Sequence, residues 1–503
     1  MGGMQMKKTF SVFRKKHFCV FITSLLTSFF IISICSKSSF LYPLNDWVDA
    51  NCFFTVGKSM TNGMVVYRDI FEQKGLLLYV IHALAYLISN DTFFGIFVFE
   101  VISATAVMIF AFKILFLYDC NKSAFVFAPL FLAVIYSSHA FCQGDSAEEF
   151  CLPFLMCGLY LSLKSLKTKK AFSAKQLFCI GVISGCVLWI KYTMLGFFVG
   201  FVIVPLIMIL RNRAWKYLLK CVGFVVLGVA AVSLPVLLYF AVNGAVEDLL
   251  RVYFYDNMFL YSDSVSNQSF TVKILSMFNT IFKSLIEVAK KNILPAILIL
   301  SGLMYELIKD GRKMFANYLV LTVFTALFIF GGGRHYDYYA LPLCVFSLHG
   351  FIFGAEKAEA FLNKKGKDIV KISAVFSFIS STVLSLLICP NVRSMLVPKE
   401  ELAQYKFREI INETKNPTLL NYGTLDNGFY TVCNIVPNCK YFCNLNLPLD
   451  DIKIAQDEYV SSGRTDYVVT RGKKYQFENY SLVSSATSDY KGGKRTYYLY
   501  KKE

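Results

Sequence analysis

The sequence predicts a mainly α fold, a polytopic transmembrane helix bundle of about 11–13 spans with a small extracytoplasmic α/β domain at its C-terminal end. Three observations predict it. Of the 503 residues, 56% are hydrophobic and only 17% charged, whereas soluble domains run to roughly 45–50% apolar and 25% charged. Apolar runs of bilayer-crossing length recur through residues 1–390, and the short connections between them alternate between strongly basic and not. Beyond residue 390 this pattern stops, and strand-like fragments separated by Gly, Asn and Ser turns replace it.

The first run, at 18–35, follows Lys7, Lys8, Arg14, Lys15, Lys16 and His17. It is long enough to span and no A-x-A cleavage pattern follows, so it reads as an uncleaved helix with its basic end in the cytoplasm. Residues 36–74 then form an outer loop. Further apolar segments lie at 75–90, 93–118, 123–140, 149–163, 176–190, 194–210, 219–242, 291–308, 314–331, 338–354 and 370–389. Four connections are basic: Lys164 with Lys167, Lys169, Lys170 and Lys175; Arg211 with Arg213, Lys216 and Lys220; Lys309 with Arg312 and Lys313; and Lys364 with Lys365, Lys367 and Lys371. The positive-inside rule makes them cytoplasmic. The outer loops are then 36–74, 141–148, the neighbourhood of Lys191, 243–290 and 331–339.

Parity demands an odd number of crossings, and 75–90 and 93–118 cannot both cross once; the short 75–90 piece is expected to be tilted, re-entrant or interfacial. Residues 1–390 form the membrane core and 391–503 an outer domain, with strands expected at 418–422, 466–470 and 497–501. No fixed-period repeat is present.

The net charge of +17 does not indicate nucleic acid, because the basic residues lie in short inter-span loops and set orientation. The fifteen Cys lack metal-ligand spacing and mostly sit in apolar runs as small core residues. Cys433, Cys439 and Cys443 cluster in the polar tail, where one disulfide is compatible with an oxidising compartment.

Chemistry concentrates in three outer segments. The first runs from Asn45-Asp46-Trp47-Val48-Asp49 to Tyr67-Arg68-Asp69-Ile70-Phe71-Glu72-Gln73-Lys74-Gly75. Asp46 and Asp49, three apart, would share one face of a short juxtamembrane helix. Arg68 and Lys74 flank Asp69 and Glu72, a set suited to holding phosphate oxygens while a carboxylate does acid–base work. An ordinary solvated loop of surface ion pairs has the same composition.

The second segment is Gln143-Gly144-Asp145-Ser146-Ala147-Glu148-Glu149, acids without a base at a membrane entrance. They suit a cation, a proton or sugar hydroxyls, although outer helix ends also tolerate acids freely. In the third, Gly331-Gly332-Gly333-Arg334-His335-Tyr336-Asp337-Tyr338-Tyr339, Arg334 can grip a phosphate beside His335 and stacking rings, with Tyr338 and Tyr339 as belt residues in the plainer reading. Lys191 ends a span as a phosphate contact or a snorkelling cation. Glu100 is the clearest acid within a span.

At these residues the sequence resembles bacterial membrane glycosyltransferases of the C superfold, closest in layout to the protein O-mannosyltransferase and lipid A aminoarabinose transferase branches. The likeness spans the whole chain in architecture and is specific at motif level only in the first loop. It implies a polyprenyl-phosphate-linked sugar as donor and a cell-envelope glycan or lipid as acceptor. It also implies Asp49, with Asp46 as rival, as general base or acceptor-orienting group, assisted by Glu148 or Glu149. By the same resemblance Lys74 binds donor phosphate and Arg334 is a second contact. No adjacent Asp-Glu pair occurs in the first loop, and Gln73-Lys74-Gly75 stands where mannosyltransferases carry a His-Pro-Pro-type turn, which argues against protein O-mannosylation.

No nucleotide-binding glycine loop is needed and none is found; no cofactor is implied with certainty, a divalent cation being compatible with the acids and its ligands unknown. The competing readings are a lipid-linked saccharide flippase or other polytopic transporter, which usually places ionisable groups at the membrane midplane, and a noncatalytic scaffold whose tail binds a partner.

Overall fold

In hydrocarbon a backbone must satisfy its own N–H and C=O groups, so apolar runs become helices. The computed structural model describes residues 2–260, 270–490 and 493–503. In chain order the helices are α1 (Gly2–Cys35), α2 (Val48–Thr61), α3 (Leu76–Ile88), α4 (Phe94–Leu117), α5 (Ala124–Tyr136), α6 (Ala147–Thr168), α7 (Ala174–Ile190), α8 (Gly196–Arg211) and α9 (Trp215–Val242). They continue with a short turn α10 (Val246–Asp248), then α11 (Phe270–Lys291), α12 (Ile293–Tyr305), α13 (Arg312–Phe330), α14 (Leu348–Asn363) and α15 (Lys367–Ile388).

Among the described residues eight helices are long and apolar enough to cross a membrane, nine if α11 and α12, bent by 112° at their junction, count as one. The shorter apolar helices α3, α5 and α7 carry the count into the expected range if they cross as well. At 13 residues, α3 is only about 20 Å long, short of the roughly 30 Å hydrocarbon core.

Local sequence explains several boundaries. Ser146 caps α6 by accepting the Glu149 N–H at 3.0 Å, and Glu148 and Glu149 occupy the positive first turn. Ser173 and Gln176 form a reciprocal capping box on α7. Gly181 of α7 and Gly228 of α9 pack backbone to backbone; a Cβ on Gly181 would lie 2.2 Å from the Val225 carbonyl oxygen, the small-residue contact that lets membrane helices approach closely.

Two expected loops are helical. Within 36–74, α2 is buried over most of its length. Asp46 precedes Trp47, the helix N-cap, and so does not share a helical face with Asp49. The stretch 243–290, read as an outer loop, contains α10, a π-helical segment Leu249–Leu260 and α11, with 261–269 outside the described residues. The reason is amphipathic spacing: Ile281 and Val288 of α11 are buried, while Leu275, Phe278 and Phe282 remain exposed beside lysines, the composition of a helix lying at a membrane interface.

After α15 the chain forms α16 (Ala403–Ile411), α17 (Phe429–Val432), α18 (Asp450–Ser461) and the strands β1 (Leu419–Asn421), β2 (Tyr467–Arg471), β3 (Tyr480–Tyr490) and β4 (Gly493–Lys502). The sheet order is β1-β2-β4-β3. β1 and β2 are parallel, joined through α18, as a parallel pair requires a crossover; the other pairs are antiparallel. The expected strands coincide with β1, β2 and β4, whereas the Ser- and Thr-rich β3 carries no strong strand signal. All fifteen Cys are free; Cys443 faces Cys52 across 3.6 Å rather than pairing within the tail.

This C-terminal segment seats on α2. Thr55 Oγ1 donates to Asp426 at 2.7 Å, and Thr431 Oγ1 donates to Asn51 at 3.1 Å. Lys58, with no solvent exposure, donates to the Tyr430 carbonyl at 2.6 Å. Burial pulls the Lys58 ammonium down to about 7, against the smaller opposing pull of Asp426, and burial pushes Asp426 up to about 6. Between about 7 and the ordinary 10.5 the unfolded chain holds the Lys58 proton and the folded chain does not, so Lys58 makes stability rise with pH across that window. The thermal unfolding midpoint of the wild type in detergent is therefore expected to rise relative to Lys58→Met between about pH 7 and pH 10; a gap that stays flat would contradict the buried seat.

Candidate functional site

Lys74 is positioned by its backbone. Glu72, 2% exposed, accepts the Lys74 N–H at 2.8 Å and also the Tyr79 hydroxyl. Tyr67 donates to the Lys74 carbonyl at 2.5 Å. The next residue, Gly75, donates to the Ile190 carbonyl at 3.1 Å, and a Cβ there would stand 2.0 Å from the Trp189 oxygen. Only glycine permits that approach. It welds the turn that carries Lys74 to the end of α7, from which Lys191 projects.

Around this junction lies a cavity of about 420 Å³, in the range of small-molecule sites. The first loop contributes Trp47, Asp49, Glu72 and Lys74; α11 contributes Lys291; the 331–339 loop contributes His335, Tyr336, Asp337 and Tyr338; the C-terminal segment contributes Leu425, Leu445 and Asn446. Half-buried Asp49 accepts from the Tyr338 hydroxyl at 3.2 Å. Burial raises its carboxyl above the ordinary 3.8, with Lys74 opposing, Glu72 adding, and Tyr338 and Lys191 opposing further. Lys74 Nζ lies 3.8 Å from Glu72 and 5.6 Å from the Phe53 ring centre. Lys191 pairs with Glu148 and sits 4.3 Å from the Tyr339 ring centre and 5.5 Å from that of Tyr338. Glu148 and Lys191 thus brace the ring whose hydroxyl holds Asp49.

Of the residues expected at the site, Asp49, Glu72, Lys74, His335 and Tyr338 line one cavity, and Glu148 with Lys191 stands behind Tyr338. Arg334 donates to the Asn446 carbonyl at 2.9 Å and so holds a lining residue. Four others are elsewhere. Asp46 pairs with Lys37 at 2.7 Å. Arg68 and Asp69 bind each other at 2.8 Å, and Asp69 also accepts the Val65 N–H at 2.8 Å, closing their own turn. Glu149 turns into the bundle, where it and Glu100 both accept the Asp145 N–H, at 2.9 and 2.8 Å; Asp145 in turn contacts His82 Nε2 at 2.9 Å. The helical period separates the two glutamates: adjacent residues point about 100° apart, so only Glu148 faces Lys191. Among the described residues no three His, Cys, Asp or Glu side chains are arranged to hold a metal ion.

Sequence reasoning missed Lys291, which pairs with Asp337 at 2.6 Å, and the lining from 425 and 445–446. Trp47, Tyr336 and Asp337 lay inside the segments singled out; nothing in the tail marked its contribution. The arrangement offers a carboxylate of raised basicity, two ammonium groups and an aromatic wall of Trp47, Tyr336 and Tyr338, suited to a sugar ring beside a phosphate.

No family model matches this sequence, and no curated protein matches it. Solved structures do. The crystal structure of ArnT from Cupriavidus metallidurans bound to undecaprenyl phosphate superposes with a TM-score of 0.62 at 11% identity, over 96% of this chain and 97% of that one. The apo form of that protein gives 0.58 at 10% identity, over 97% and 98%. At such identity the likeness concerns the fold alone, shared over nearly the whole of both chains.

Because Tyr338 lowers the Asp49 carboxyl by its hydrogen bond, Tyr338→Phe is expected to move the acid limb of any Asp49-dependent turnover to higher pH. The pH profile of kcat/KM measures this; an unmoved limb would separate Asp49 from the titrating group.

Proposed function

We propose that this chain is a membrane glycosyltransferase that moves a sugar from a polyprenyl-phosphate donor to a cell-envelope acceptor at the outer face. The observation that carries the reading is the Asp49 carboxylate and the Lys74 ammonium lining one cavity at a helix-bundle end. The likeness in fold to a protein crystallised with undecaprenyl phosphate supports a lipid-phosphate donor.

A sugar phosphate already contains its leaving group, so the protein has to position, deprotonate and neutralise. In this reading the acceptor hydroxyl gives its proton to Asp49 as its oxygen bonds the anomeric carbon. The bond from that carbon to the phosphate oxygen breaks, and polyprenyl phosphate leaves with the electron pair. Lys74 and Lys291 meet the phosphate; Glu72 and Tyr67 fix the Lys74 backbone; Lys191, Glu148 and Tyr338 orient the base. The aromatic wall accepts the sugar ring.

Asp49→Asn is expected to lower kcat by about 10²–10⁴, and Lys74→Ala to weaken donor use. Both are read as transfer of labelled sugar from a polyprenyl-phosphate donor by inserted, folded protein. Full transfer by both variants would defeat the assignment, and movement of the lipid-linked sugar across vesicles without a glycosidic product would instead identify a flippase.

A further inference from the structure

A second groove, of about 540 Å³, opens at the other end of the bundle between the ends of α6, α8, α9 and α13. α6 begins at Ala147, next to Glu148 beside the candidate site, and ends at this groove, about 33 Å away at 1.5 Å per residue over its 22 residues. α13 likewise starts here, with Lys313, and ends in the 331–339 loop. The two pockets therefore face opposite membrane surfaces.

The mouth of the groove carries Lys169, Lys170 and Lys313. All three are exposed, none makes an ion pair among the described residues, and no carboxylate lines the pocket. Its wall includes Asn317, 1% exposed, whose Oδ1 accepts from Ser162 at 2.9 Å and whose Nδ2 has no partner. A buried donor left open is rare and points to a missing acceptor. Below, sharing Phe172, Pro205, Ile209 and Cys221, runs a purely hydrophobic trough of about 150 Å³ between α7, α8 and α9. Its rim residues Val202 and Val222 are 48% and 52% exposed, so the trough opens sideways toward hydrocarbon.

We propose that this groove binds an anionic phospholipid. The headgroup phosphate lies against Lys169, Lys170, Lys313 and the Asn317 amide, and an acyl chain fills the trough. The charge and the depth both fit: basic connections lie on the leaflet that carries anionic lipid, and basic pockets between helices on that side recognise phosphate headgroups. A free phosphate would satisfy the cations but leave the trough empty, so the site selects an amphiphile.

The test is native mass spectrometry of the full chain in detergent. It compares retention of dioleoyl-phosphatidylglycerol with dioleoyl-phosphatidylcholine, and adds glycerol phosphate as competitor. The expected result is preferential retention of phosphatidylglycerol, a loss of about a hundredfold in K169Q/K170Q/K313Q, and no loss in K175Q/K216Q, which removes basic residues of the same and neighbouring connections outside the groove. Ile209→Trp, which fills the trough and keeps every lysine, should also expel the lipid. Equal retention of the two lipids, equal behaviour of the two lysine variants, or displacement by glycerol phosphate would overturn the proposal. Sugar transfer is read separately, because none of these residues lies at the candidate site.

Discussion

The site depends on one backbone contact, the approach of Gly75 to the end of α7. The Gly75 N–H reaches the Ile190 carbonyl with no room for a side chain, which places the Lys74 turn against the segment that ends in Lys191. Two cations from segments more than a hundred residues apart, Lys74 in the cavity wall and Lys191 behind Tyr338, thereby both act on Asp49. Each of these cations needs local compensation in a low dielectric. It is present, since Glu72 stands 3.8 Å from Lys74 and Glu148 pairs with Lys191. With those cations partly neutralised, the carboxylate left facing the cavity is Asp49, and burial raises its basicity.

A second constraint closes the site from above. Helix α2 is too polar to lie in hydrocarbon and too buried to be an ordinary loop; its Asn51, Thr55 and Lys58 are satisfied by Thr431, Asp426 and Tyr430 of the C-terminal segment. That seating brings residues 425 and 445–446 over the cavity, where Asn446 is held by Arg334. The tail is thus a wall of the site as well as a folded unit on its surface. Cavities bounded on several sides by different segments exclude water, which strengthens the electrostatic effects inside them.

The bundle carries polar chemistry at both ends of the same helices. α6 presents Glu148 in its capped first turn and Lys169 just past its last residue, and α13 carries Lys313 in its first turn and ends ahead of His335. The buried cluster of Glu100, Asp145 and Glu149 joins α4, α6 and the intervening loop through the shared Asp145 N–H, giving the acids inside the bundle a role in packing, distinct from the residues that line the cavity.

By itself the sequence determined the class of the protein. Hydropathy and charge alternation are one-dimensional properties, so the bundle, the short α3 and the β1, β2 and β4 fragments of the tail could be read directly. Polar residues at apolar junctions also drew attention to the first loop and the 331–339 segment, both of which line the same cavity. Tertiary structure decided which of those residues meet. Asp49 rather than Asp46 faces the cavity because a helix starts between them, and Glu148 rather than Glu149 faces Lys191 because neighbouring helical positions diverge. Asp69 is consumed by its own turn, Arg68 is divided between Asp69 and the Asn243 carbonyl at the end of α9, and Lys291 is recruited by a 112° bend that no local pattern announces. Convergence of distant segments is set by packing, and packing is not written in any single stretch of chain.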